Sequence, residues 1–536
     1  MKRYALILGL IVALAAAGCA RFAANSGNGI VQTEFGSLQG GVSGGIYTYF
    51  GVPYAEARER FVPAEKVKPW RGVRKATGYG PSSLQSSVTG FPVPHGTLDN
   101  NCQNLNIWTP GIDGKKRAVM VWLHGGGFSN GSAQEVPAYN GENLSKKGDV
   151  VVVSVNHRLN VMGYLNLSAY GGKYKYSENV GMLDIVDSLE WIQENIASFG
   201  GDPENVTVFG ESGGGAKILA LMTSPYAKGL FHKAIIESGA SESTGVRFTS
   251  IDPSRRLGEL TLKILGIAKD NVGAIQSVPY DKLVEATEKA KEETAAEFGI
   301  VNDFYGKVTM EWKPVVDGDF LPTDPVTIDS FAVAGKNIPL LIGSNLNEWT
   351  SMNLVIGKDK GKTFSDAEVE ERLQKKYGDK KNRIVEEFLR VYPLKSKQDA
   401  LYLDTFFRLP MLKIMSHKAD QNGAPVYAYV FTYGSPLAFH TAEIPLVFNN
   451  VDAEPPIPTG VTKSEAEKQA TATIADTMSS AWLSFAKTGT PSTASFPAWE
   501  AYTRANGATM ILDTENSLVH GHDRSLMKLL APEYQW

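Results

Sequence analysis

Between Val206 and Gly215 the chain reads Val-Thr-Val-Phe-Gly-Glu-Ser-Gly-Gly-Gly, a β-branched run that breaks into glycines around one serine. The run predicts a strand that turns directly into a helix, and so sharp a turn leaves no room for neighbouring side chains. Gly210 and Gly214 supply the room. Ser212 is then expected at the apex with its hydroxyl exposed. The following helix aims free backbone N–H groups, that of Gly213 among them, at the same point. The five-residue pattern alone also fits an ordinary turn in a glycine-rich chain, and the flanking strand and helix signals separate the two readings.

A strand-to-helix turn of this kind needs a large covered sheet around it. With 536 residues, 43% of them hydrophobic, the chain can bury one. The formal net charge of -4 gives no basic footprint for nucleic acid and no strong steering field. No Gly/Ser or Pro linker and no internal repeat divides the sequence. A single catalytic domain over 30–536 is therefore expected, with helical insertions at about 251–300 and 364–419.

The N-terminus reads differently. Lys2 and Arg3 precede an apolar run from Ala5 to Ala17, and Gly18-Cys19 follows. This predicts a bacterial lipoprotein signal over 1–18, acylation of Cys19 and a polar tether over 19–29. The run is short for a membrane span. The expected location is outside the cytoplasm, with membrane association only through that lipid. With Cys19 so used, Cys102 has no disulfide partner.

Along the mature chain, Arg117 to Leu123 and Val150 to Asn156 read as strands covered on both faces. Between them, His124-Gly125-Gly126-Gly127-Phe128 can turn backbone N–H groups inward, as an oxyanion hole requires, though alone it also fits a flexible loop. Asn179 to Ser198 carries one apolar helical stripe; Lys233 to Ser238, Asn337 to Ser344, Pro425 to Thr432 and Ala508 to Asp513 read as strands, and Thr471 to Lys487 as a helix.

A serine hydroxyl is barely acidic and needs a base, which in turn needs a carboxylate to orient it. Of eight histidines, His440 follows the strand at 425–432, late enough for the chain order serine, acid, histidine. Glu348, after the strand at 337–344, is the favoured acid. Asp317 and Asp319 are rivals that also read as turn formers. The pair His520 and His522 reads as a solvated loop with no further ligand to complete a metal site.

An ordered series of segments extends these readings: Phe-Gly-Val-Pro-Tyr-Ala at 50–55, Leu-Asn-Ile-Trp-Thr-Pro at 105–110, His-Gly-Gly-Gly-Phe at 124–128, Asn-His-Arg-Leu-Asn at 156–160 and Phe-Gly-Gly-Asp-Pro at 199–203. It continues with Gly-Glu-Ser-Gly-Gly at 210–214, Ala-Lys-Gly-Leu-Phe-His-Lys-Ala-Ile at 227–235, Gly-Ser-Asn-Leu-Asn-Glu at 343–348 and His-Thr-Ala-Glu-Ile-Pro at 440–445. In these the chain resembles the type-B carboxylesterase and cholinesterase family of α/β-hydrolases over nearly all of its mature length. The resemblance implies a large, mostly parallel central sheet with helices on both faces and helical insertions over the active site. It maps the nucleophile to Ser212, the acid to Glu348 and the base to His440. The oxyanion donors map to the N–H groups of Gly126, Gly127 and Gly213.

Motifs and resemblance together predict a serine carboxylesterase that needs no metal or cofactor and acts through an acyl-enzyme on a small-to-medium apolar or aromatic ester. The alternatives are a catalytically inactive surface-binding relative, a lipase or a feruloyl-type esterase. Phe128, Phe439 and Trp349, with Trp312 and Tyr305, are candidate pocket walls that also fit a plain core. Against the family pattern, Gly213 stands where alanine is usual and implies a looser turn. The half-cystine that would pair with Cys102 is replaced near Ser83. Asn100 removes a carboxylate that commonly pairs with an arginine near Arg60, and Lys217 is expected to reach solvent.

Overall fold

The computed structural model describes residues 29–86, 96–302, 306–327, 329–460 and 463–535. The signal segment, Cys19 and most of the tether lie outside them, as do His95 and Tyr305.

Eleven strands form the central sheet. In chain order they are β1 (Gly41–Ser43), β2 (Ile46–Pro53), β3 (Asn104–Thr109), β4 (Arg117–Leu123), β5 (Val151–Val155) and β6 (Gly201–Glu211). They continue with β7 (Lys233–Glu237), β8 (Leu340–Asn345), β9 (Val426–Phe431), β10 (Thr509–Leu512) and β11 (Ser517–Val519). Across the sheet the order is β1-β2-β3-β5-β4-β6-β7-β8-β9-β10-β11. All pairings from β5 through β10 are parallel, and antiparallel strands close both edges.

Every residue of β4, β5, β7 and β8 is buried. Such strands have no polar face because helices cover both sides. Helix α1 (Val180–Asn195) packs against β6, α2 (Gly213–Thr223) against β4, β6 and β7, and α3 (Glu465–Thr488) against β4 and β6. The stretch 251–300 holds helices Ile251–Ile264 and Tyr280–Phe298, packed on each other. The stretch 364–419 holds Asp366–Tyr377, Lys381–Val391 and most of Arg408–Asp420.

Helix α3 is longer than its apolar stripe. It begins at Glu465 rather than Thr471, because Ser464 and Glu467 form a reciprocal capping box ahead of the stripe. Strand β3 joins the antiparallel edge to β5; its six residues are all buried. Cys102, just before it, is buried and in no disulfide among the described residues.

Ser212, Glu348 and His440 all lie in loops after the carboxyl ends of parallel strands, β6, β8 and β9. Open α/β sheets present ligand sites along this edge.

Candidate active site

Ser212 sits between β6 and α2 with φ 52° and ψ −122°, a conformation that only a tightly held turn retains. Its N–H donates to Glu237 O at 2.8 Å, which fixes the elbow to the end of β7. A Cβ on Gly210 would stand 2.6 Å from Leu123 O, and one on Gly214 would overlap that same carbonyl. The two glycines thus let α2 press on the end of β4. Gly213 corrects the expectation of a looser turn. A Cβ there would stand 2.5 Å from both N and Cα of Gly127, so the missing methyl admits the glycine loop against the elbow.

Gly126 and Gly127 take φ of 79° and 60°, which glycine adopts without strain. Gly126 O accepts from Ser129 N and Asn130 N at 3.2 Å each, and Phe128 O accepts from Asn160 N at 2.7 Å. Gln85 grips Gly131 on both sides, through N at 2.8 Å and O at 3.0 Å. Among the described residues, no hydrogen bond takes up the N–H of Gly126, Gly127 or Gly213. Those donors are free to receive a developing negative charge.

Glu348 opens the loop after β8 with φ 37°. Its Oε1 accepts from Ser238 Oγ at 2.6 Å and Asn345 N at 2.7 Å, and its Oε2 lies 2.6 Å from His440 Nδ1. Asn345 Nδ2 reaches across to Phe439 O at 2.7 Å and Glu443 Oε2 at 2.6 Å, while Asn347 N donates to Ala438 O at 3.0 Å. These bonds stitch the acid loop to the histidine loop. Two aromatic rings pack against His440: Phe407 stacked at 4.8 Å and 13°, and Trp349 tilted at 4.6 Å and 36°. Asp404 sets Phe407 by accepting from the N–H groups of Phe406, Phe407 and Arg408.

His440 Nε2 lies 3.2 Å from Glu211 Oε1. No hydrogen bond joins it to the Ser212 hydroxyl among the described residues. Catalytic contacts are commonly long before substrate binds.

Burial dominates the electrostatics. It pushes His440 down to about 4, against the pull of Glu443 and Asp404, so at neutral pH the imidazole is an uncharged base. The Glu348 carboxyl is pushed up by burial, while Ser238 and Asn345 draw it back. Burial together with the neighbouring carboxylates Glu443, Glu348, Glu237 and Glu135 holds Glu211 well above the usual range. Glu237 rises to about 8, and Glu443 and Asp404 to about 7, again through burial first. The buried carboxyls of Glu211, Glu237, Glu348 and Glu443 thus disfavour one another's ionisation.

The other predicted residues divide between the site, the core and the surface. Phe128 is 1% exposed, edge-on to Tyr164 and Phe248. Phe439 is 1% exposed in a small apolar cluster with Val355 and Ile457. Both are core residues, whereas Trp349 sits on the histidine. Asp317 caps its own turn, accepting from the N–H groups of Asp319 and Leu321, and Asp319 pairs with Lys175. His520 pairs with Glu500, and Asp523 with Arg408. Lys217 corrects the surface expectation: it is 0% exposed, and Nζ donates to His124 O at 2.8 Å.

Sequence reasoning missed Ser238, Asn345, Asp404, Phe407 and Glu443. Asp404 alone had a local signal, a helix-capping type just before Arg408. The others act across loops, which no sequence spacing encodes.

The chain also matches known proteins in sequence and in fold. The signature of the "Carboxylesterase family" matches residues 27–528. Para-nitrobenzyl esterase of Bacillus subtilis (strain 168) is 34% identical over 526 residues, 94% of this chain and 98% of that protein. Phenmedipham hydrolase of Pseudarthrobacter oxydans is 30% identical, covering 91% and 96%. A solved esterase from Clostridium hathewayi, described as able to hydrolyze aliphatic aromatic polyesters, superposes with a TM-score of 0.82. It has 37% identity and covers 94% of this chain and 98% of that one.

Proposed function

This chain belongs to the carboxylesterase family and is a carboxylic ester hydrolase of the α/β-hydrolase fold, and on that premise we propose that Ser212, His440 and Glu348 are its nucleophile, base and acid. The observation that carries the assignment is the 2.6 Å pairing of Glu348 with His440, in a loop beside the strained serine elbow.

As an ester enters, the Ser212 hydroxyl turns to His440 Nε2, which takes its proton while Oγ attacks the carbonyl carbon. The N–H groups of Gly126, Gly127 and Gly213 receive the oxyanion. Glu348 fixes the imidazole tautomer and stabilises the imidazolium. The imidazolium then protonates the departing alcohol and leaves an acyl-enzyme. Water, deprotonated by His440, attacks that acyl group and releases the acid.

The substrate is a small-to-medium ester with an apolar or aromatic group near the scissile bond. The names of the similar proteins support this, as does the Trp349 ring beside His440. The N-terminal pattern from Lys2 to Cys19 supports export and lipid attachment at Cys19. Membrane fractionation of C19S against the unchanged chain tests this: the variant should be released, and equal retention would remove the anchor.

A fluorophosphonate probe tests the site. It should label folded protein at Ser212, and S212A should lose both labelling and p-nitrophenyl acetate hydrolysis. Hydrolysis without labelling at Ser212 would overturn the assignment; absence of both would indicate a binding protein.

A further inference from the structure

Lys217 has no part in the chemistry above, yet it is 0% exposed on the helix that leaves the nucleophile. Helical side chains lean toward the helix N-terminus, so a long side chain on α2 reaches back toward the elbow. Nζ donates to His124 O at 2.8 Å and lies 5.6 Å from the centre of the Phe128 ring, within cation–π range. His124 and Phe128 bracket Gly125-Gly126-Gly127. The far end of the loop has other anchors, Asn160 on Phe128 O and Gln85 on Gly131. At the near end, among the described residues, no other side chain donates to His124 O.

A buried ammonium is costly unless it is paired. The groups that face it are the Glu135 and Glu211 carboxyls and the His124 and His157 rings. Glu135 is already engaged by Ser132 N at 3.1 Å and Tyr139 Oη at 2.9 Å. An apolar residue would fill the same space without that cost. Burial lowers Lys217 to about 7, with Glu135 and Glu211 pulling it back up; charged or neutral, its amine donates to His124 O, a bond that an apolar residue would not make.

We propose that Lys217 is a positioning residue for the oxyanion hole: it ties the entry and exit of the glycine loop to the elbow helix and so fixes the N–H groups of Gly126 and Gly127 over Ser212. This rests on the reading of Ser212 and the glycine loop as the catalytic site. It acts together with the bare Gly213, against which Gly127 is seated. A loop held from within α2 moves with the nucleophile, and the distance from donors to attacked carbonyl is preserved.

The test compares K217M, which keeps length and apolar bulk, with the unchanged protein. A loosened donor pair lowers kcat by about 10- to 100-fold, part of the cost of deleting a donor outright, with KM held within about twofold. Affinity for a trifluoromethyl ketone, whose serine adduct carries an oxyanion, falls in parallel, while that for the product acid does not. K217Q, one bond short of the carbonyl, gives the same comparison should K217M fail to fold. Unchanged kcat, a rise in KM alone, or equal losses for ketone and product acid would overturn the proposal. Fluorophosphonate labelling of the unchanged protein keeps the two readings apart: if Ser212 does not label, the catalytic assignment fails; if it labels and K217M turns over normally, only the role of Lys217 fails.

Discussion

Glu348 Oε2 stands 2.6 Å from His440 Nδ1, and both side chains are shut away from solvent. Ser238 and Asn345 donate to the other oxygen of Glu348, which leaves Oε2 to face the imidazole. Glu348→Gln keeps the shape but cannot carry the charge that balances an imidazolium. It should lower kcat by about 10³- to 10⁴-fold with little change in KM. Steady-state rates on p-nitrophenyl acetate, with circular dichroism to verify folding, measure this; a loss below tenfold would exclude Glu348 as the acid.

The acid limb of kcat/KM reports the free base. Burial holds His440 near 4, so activity should persist to about that pH and fall as the imidazole gains its proton. Trp349→Leu opens one side of the ring to water. Its limb should move up toward the ordinary histidine value of about 6.5, and activity should be lost at higher pH than in the unchanged protein. A profile from pH 3.5 to 8 decides it.

Gly213→Ala would push a methyl into the backbone of Gly127. Turnover should drop by about 10- to 100-fold as the loop withdraws, with binding of the product acid unaffected. Retained turnover would mean that the loop yields without cost.

Glu237 is buried, with Oε1 accepting from Trp482 Nε1 at 2.8 Å and Oε2 without a hydrogen-bond partner among the described residues. Its folded pKa is raised to about 8, so its stabilising contribution is complete below about 4.5 and is lost as pH rises toward 8. Glu237→Gln does not ionise. Its melting temperature relative to the unchanged protein should therefore rise steadily between pH 5 and 8; a constant difference would contradict the raised carboxyl.

Arg158 and Asp184 form a fully buried pair, with Nη2 to Oδ1 at 2.6 Å and Nε to Oδ2 at 2.8 Å. Gln103 Nε2 and Arg158 N also donate to Oδ2, at 3.0 Å each. Replacing one partner leaves the other charge uncompensated. Asp184→Asn should destabilise the protein by about 3–5 kcal/mol in urea unfolding, with residual activity scaling with the folded fraction.

The parallel core was legible in sequence because both-face burial writes itself as unbroken runs such as Val-Val-Val-Ser-Val at 151–155. The serine elbow was legible because each glycine answers a specific collision, Gly210 and Gly214 both with Leu123 O. Contacts between loops were not. Asn345 gives no sign in sequence that it binds Phe439 O and Glu443, since that contact exists only once β8 and β9 pair. Lys217 was misread for a related reason: a cation in an apolar helix looks like a surface residue until a carbonyl is found at its tip.

Phe407, stacked on His440, starts the turn into a helix of the 364–419 block. That block therefore reaches the surroundings of His440. Exchanging it between relatives would also exchange the ring that lies against His440. Ester preference and working pH would then shift as a linked pair rather than as separate traits.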